Sequence, residues 1–100
     1  MTHTIRDEKI DYLFQGILTL SNTEECYAFF EDLCTVAELQ EMSRRLHAAR
    51  MLRAGKVYAE IATETGLSTA TISRVSKCLK YGSDGYRKVL ETIEHHEEKQ

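Results

Sequence analysis

The sequence predicts an all-α fold of about six helices, and three observations predict it. Proline is absent and glycine occurs only five times in 100 residues, so few positions interrupt helical backbone. Apolar residues recur three and four apart, and no stretch shows the β-branched alternation of a half-buried strand. Where the apolar phase shifts, a capping residue or a glycine stands at the break. With 42% hydrophobic and 29% charged residues, residues 1–100 read as one folded domain with a small core, which burial across a subunit interface would extend.

Ile10, Leu13, Phe14, Ile17, Leu18 and Leu20 form the apolar stripe of a first helix, ended by Ser21 and Asn22. Asn22 or Thr23 can cap a second helix, with Glu24 and Glu25 where the helix dipole favours carboxylates and Tyr27, Phe29, Phe30 and Leu33 inside. Thr35-Val36-Ala37-Glu38 has capping-box spacing and opens a longer helix through Leu39, Met42, Leu46, Ala49 and Leu52 to Gly55. Two short helices follow, about Tyr58–Thr65 and about Ser68–Lys80. Tyr81-Gly82-Ser83-Asp84-Gly85 is a turn cluster. A last helix runs through Tyr86, Val89, Leu90 and Ile93, then dissolves into the acidic tail His95-His96-Glu97-Glu98-Lys99-Gln100.

The stretch YAEIATETGLSTATISR, Tyr58 to Arg74, meets the demands of a helix-turn-helix. Two helices crossing steeply need a small residue where their backbones approach, which Ala62 provides, and a residue tolerant of positive φ at the turn, which Gly66 provides. Ile61, Leu67, Ile72 and Val75 lock the pair onto the core, and Ser68 can cap the second helix from the N–H of Ala70 or Thr71. Thr69, Ala70, Ser73, Arg74 and Lys77 are left facing outward. Short side chains at the leading end let a helix approach base edges in a major groove, and cations farther along meet phosphates.

The net charge of −3 hides a segregation. Arg44–Lys88 holds ten Lys/Arg and three Asp/Glu, leaving three and thirteen for the rest. Fields act over a screening length of about 8 Å, so a locally basic segment can attract a polyanion. Arg44, Arg45, Arg50 and Arg53 precede the motif, and Lys56, Lys80, Arg87 and Lys88 flank it. Cys26, Cys34 and Cys78 sit in apolar helical patterns and are expected as buried reduced thiols. His47 is expected at the surface or in interface packing, and the paired histidines of the tail as solvated, so no metal site and no cofactor are called for. No nucleophile–base set, carboxylate pair or Gly-rich phosphate loop supports an enzyme. No apolar run approaches the roughly 18 residues of a bilayer span, and Met1–Arg6 lacks the apolar block of a signal peptide, so a cytoplasmic protein without a membrane partner is expected.

TVAELQEMSRRLHAARMLRAG, GLSTATISRVSKCLKYG and the final helix, in this order, resemble the tryptophan repressor family, most closely its YerC/YecD branch, over roughly Glu24 to Ile93. The resemblance implies an intertwined six-helix homodimer, with residues 1–54 as dimerisation helices, 55–81 as the helix-turn-helix and 82–100 as the C-terminal helix and tail. It implies a regulator, acting as a repressor, that reads a palindromic operator in double-stranded DNA. The DNA-binding residues would be Lys56, Ser68, Thr69, Ala70, Thr71, Ser73, Arg74, Lys77 and Lys80. It also implies an effector pocket, in which an amino acid would lie between Arg45 and Arg74 with Thr35 nearby. Val75 stands where the repressor has a glycine, Cys78 where it has a serine and Leu39 where it has an arginine, which disfavours tryptophan. Another small-molecule corepressor, or none, stays open. A different function class also stays open: a helical protein-interaction adaptor with a reader-like fold that does not bind DNA specifically.

Overall fold

A computed structural model describes residues 6–98; Met1–Ile5, and Lys99 and Gln100 of the tail, lie outside the described residues. The elements in order are α1 (Glu8–Ile17), α2 (Thr23–Leu33), α3 (Val36–Arg53), α4 (Tyr58–Thr65), α5 (Thr69–Tyr81) and α6 (Gly85–Glu98), with no strand among the described residues. The chain divides into two compact units bounded Met1–Leu39 and Gln40–Gln100.

In the first unit each helix begins at a side-chain cap. The Asp7 carboxylate accepts from the Ile10 N–H at 2.8 Å. Asn22, rather than Thr23, caps α2 by accepting from the Glu25 N–H at 2.9 Å, while the Glu25 carboxylate accepts from the Ser21 N–H at 2.7 Å. Helix α1 stops at Ile17, short of the Leu20 that its apolar stripe reached. There the Thr19 hydroxyl donates to the Gly16 carbonyl at 2.7 Å, satisfying an acceptor that another helical turn would have used. Thr35 and Glu38 close their capping box as the spacing predicts, Glu38 N–H to Thr35 Oγ1 at 3.0 Å and Thr35 N–H to Glu38 Oε1 at 2.8 Å. Phe29 and Phe30 meet edge to face with centroids 5.3 Å apart. Tyr27 and Leu33, expected inside, are exposed, and neither α1 nor α2 contains a fully buried residue. Two helices of ten and eleven residues can each cover only one side of the other.

In the second unit α3 supplies the two fully buried alanines, Ala48 and Ala49. Ala48 joins Met51, Ile61, Leu67 and Ile72; Ala49 joins Val75 and Leu90; Leu52 packs against both groups. The four residues expected to lock the helix pair, Ile61, Leu67, Ile72 and Val75, are all buried, and Ala62 packs against the first group. Side chains no larger than methyl at 48 and 49 let neighbouring helices approach α3 closely.

Two expectations change here. Cys78 is exposed rather than buried, because Ile72, Val75, Ser76 and Leu79 define the inner face of α5 and residue 78 falls outside it; Cys26 and Cys34 are half-buried. The tail does not dissolve at His95: α6 runs to Glu98. Glu94, just before the extra turn, lies 3.3 Å from Arg53, and Glu97, within it, lies 4.0 Å from Arg50, both partners on α3. These ion pairs tie the end of the helix down.

Gly55 and Gly66 have φ of +84° and +76° and close the C-terminal ends of α3 and α4. At Gly66 a branched side chain must adopt a left-handed backbone that costs about 1–2 kcal/mol even before branching. Gly66→Val therefore lowers unfolding free energy by at least about that amount, read as a drop in urea midpoint, whereas Gly66→Asn loses less because asparagine visits this region more readily.

Candidate nucleic-acid interface

The turn between α4 and α5 is closed by side chains as well as by glycine. The Gly66 N–H donates to the Ala62 carbonyl at 2.9 Å. Thr65, buried, donates its hydroxyl to the Ile61 carbonyl at 2.7 Å and accepts from the Leu67 N–H at 3.2 Å. One oxygen thus joins the last turn of α4 to the first residue beyond the glycine. The sequence reading passed over Thr65. Its signal was a threonine directly before a helix-ending glycine, able to bond back one turn.

Ser68 then caps α5, accepting from the Thr71 N–H at 3.1 Å, with its hydroxyl also 3.1 Å from the Thr71 hydroxyl. Of the two donors considered for this cap, Thr71 is the one used. Beyond it the face of α5 is graded. Thr69 and Ala70 are exposed, Thr71 and Ser73 half-buried, and Arg74, Lys77 and Lys80 exposed. Ser76 is buried beside Val75 on the inner side.

The cations of the basic segment fall into two groups. Arg74, Lys77 and Lys80 on α5, together with Arg44 on α3 and Lys88 on α6, enter no ion pair among the described residues. Lys56 lies 3.9 Å from Glu60, a half-exposed i,i+4 pair. Arg45 lies 4.0 Å from Glu41. Arg53 meets Glu94 at 3.3 Å and Glu91 at 3.7 Å, and Arg87 meets Asp84 at 3.1 Å and Glu91 at 3.6 Å. The hydrogen bond to Asp84, then the charges of Asp84 and Glu91, push the Arg87 pKa above its ordinary value.

The three residues of the implied effector pocket are differently occupied. The Thr35 hydroxyl accepts from the Glu38 N–H, Arg45 leans towards Glu41, and Arg74 enters no ion pair among the described residues. Val75 packs with Ala49 and Leu90, so its branched side chain is part of the core. A cleft of about 350 Å³ does open between α3 and α6, floored by Leu46, Leu90 and Ile93 with Ser43, His47 and Arg50 at its edge; Thr35, Arg45 and Arg74 do not line it. His47 Nε2 lies 3.9 Å from Glu64 on α4. Among the described residues no group of three His, Cys, Asp or Glu could hold a metal ion, and no helix is long and apolar enough to cross a membrane.

Two helices joined through a left-handed glycine, the second presenting short polar side chains and then unpaired cations, define a helix-turn-helix protein. The chain belongs to the Trp repressor family: the model of the Trp repressor protein matches residues 8–94. That family is regulatory rather than enzymatic. The uncharacterized protein YerC of Bacillus subtilis (strain 168) is 53% identical over 93 residues, covering 93% of this chain and 89% of its own. A TrpR-like protein from Eubacterium eligens superposes with a TM-score of 0.87 at 46% identity, over 92% of this chain and 95% of that one. A candidate Trp repressor from Staphylococcus aureus gives 0.86 at 50% identity, over 91% of both.

Thr65→Val keeps the shape of the turn residue but leaves the buried Leu67 N–H without its acceptor. The expected cost is about 1–3 kcal/mol in unfolding free energy. Thr65→Ser, which retains the oxygen, should recover most of it in the same denaturation experiment.

Proposed function

We propose that the protein is a sequence-specific DNA-binding transcriptional regulator, a cytoplasmic repressor, that reads a palindromic operator through the major groove as a homodimer. The observation that carries this reading is the exposed face of α5, with Thr69 and Ala70 at its leading end and Arg74, Lys77 and Lys80, free of ion pairs among the described residues, behind them. Thr69 and Ser73 can hydrogen-bond base edges, and Ala70 can touch a thymine methyl. Ser68 and Thr71, bonded to each other, hold the leading end in shape beside the backbone. Lys56, Arg74, Lys77 and Lys80 neutralise phosphates; the Lys56–Glu60 pair is loose enough to yield to one.

The homodimer rests on the family and on the apolar surface of the first unit, where Tyr12 is 77% and Leu18 83% exposed. Exposed apolar side chains of this size are available to an association surface. A second copy, related by a twofold axis, would present a second α5 to the other half of the operator. In this division residues 1–54 associate, 55–81 read and 82–100 support. The reading needs no corepressor: Val75 is committed to packing, and Arg74 is left for phosphate.

Selection of bound fragments from random duplex DNA, with and without added amino acids, tests the proposal and any effector together. A recovered palindrome supports it; retention of no sequence over another favours an adaptor role. Thr69→Ala or Ser73→Ala should relax base preference by about 1–3 kcal/mol per lost contact, while Lys77→Ala weakens all duplexes about equally. In sedimentation, Phe14→Asp should shift the protein towards monomer and weaken operator binding in parallel.

A further inference from the structure

We infer that Arg53 and Arg87, although they stand in the basic segment, are withdrawn from the duplex and brace α6, leaving the phosphate contacts to other cations, chiefly those of the reading helix. The inference rests on the DNA-binding reading above and specifies which charges that reading can use.

The brace is a continuous chain of charge: Asp84, Arg87, Glu91, Arg53 and Glu94, each in contact with the next. Glu91 Oε2 is shared, 3.6 Å from the Arg87 guanidinium and 3.7 Å from that of Arg53. Arg53 also donates to both oxygens of Glu94 at 3.3 Å, and its side chain is only 27% exposed. Three carboxylates surround two guanidiniums, so the cluster as a whole carries negative charge and offers a phosphate no attraction. A phosphate approaching Arg53 would have to displace Glu94 while facing Glu91. The pairing also follows from register: Glu91, Glu94 and Glu97 recur every three residues along α6, and Arg50 and Arg53 have the same spacing on α3. On α5 the contrast is complete, since Arg74, Lys77 and Lys80 also recur every three residues, are exposed, and have no carboxylate within ion-pair distance among the described residues. Arg53 and Arg87 are thus positioning residues, which hold the helix following the reading helix.

Binding of the full chain to a random-sequence duplex, titrated between about 50 and 200 mM salt, reads this directly, because the slope of log affinity against log salt falls by about 0.9 for each phosphate contact removed and by twice that in a dimer. Lys77→Gln should lower the slope by this amount and leave the melting temperature nearly unchanged. Arg53→Gln and Arg87→Gln should leave the slope unchanged and lower the melting temperature, with the loss shrinking at high salt. Glu91→Gln, which releases one partner of both arginines without removing a cation, should raise affinity for the random duplex and steepen the slope; it keeps the test decisive if Arg53→Gln does not fold. A slope that drops in Arg53→Gln or Arg87→Gln as far as in Lys77→Gln, or Glu91→Gln binding no more tightly than the unaltered protein, overturns the inference while the DNA reading stands. Failure of the unaltered protein to bind any duplex at about 50 mM salt overturns the DNA reading itself.

Discussion

The direction in which α5 points depends on four residues, Thr65 to Ser68. Gly66 turns the backbone through a left-handed conformation, the Thr65 oxygen spans the glycine, and Ser68 restarts the helix by accepting the Thr71 N–H. On either side, Ile61 and Ile72 are fully buried and Leu67 nearly so. Each such side chain contributes about 1.5–3 kcal/mol by leaving water, and all three pack in one cluster with Ala48 and Met51 of α3. Hydrogen bonds define the bend and apolar burial holds it. The exposed face of α5 is what remains once those demands are met.

Electrostatics is arranged around the same helix. Basic residues before and after the motif look alike in composition, yet their surroundings differ. Arg50 and Arg53 on α3 and Arg87 on α6 meet carboxylates, and those on the outer side of α5 meet none within ion-pair distance among the described residues. Exposed pairs contribute little singly, but a chain of them sharing Glu91 gathers charge into a fixed place. A protein of net charge −3 can in this way keep one positive stripe directed outward.

The first unit has the opposite character. Its helices are capped with care, by Asp7, Asn22 and the reciprocal pair Thr35–Glu38, and still bury no residue fully. Caps end helices without giving them a core. Helices of ten and eleven residues are marginal in water unless an apolar face is covered. The proposed homodimer supplies that cover, and with it the second reading helix that a palindrome requires.

Helix positions and caps were legible in the sequence because they depend on residues within one turn of each other: the capping box at Thr35, the left-handed glycine at 66, the cap at Ser68, and the apolar spacing that buries Ile61, Leu67, Ile72 and Val75. The graded outer face of α5 was legible for the same reason, since local periodicity decides which side of a helix is left over. Tertiary structure alone decided what depends on partners far along the chain. The pairing of Arg53 with Glu94 joins residues 41 apart, and α6, which also meets Arg50 through Glu97, runs through His95 to Glu98 where composition suggested a loose tail. The exposure of Cys78 and the commitment of Val75 to the core were settled likewise, by which face of α5 met Ala49 and Leu90. Charge and hydrophobicity say what a side chain can do; only a neighbour brought across the fold determines which of those options it takes.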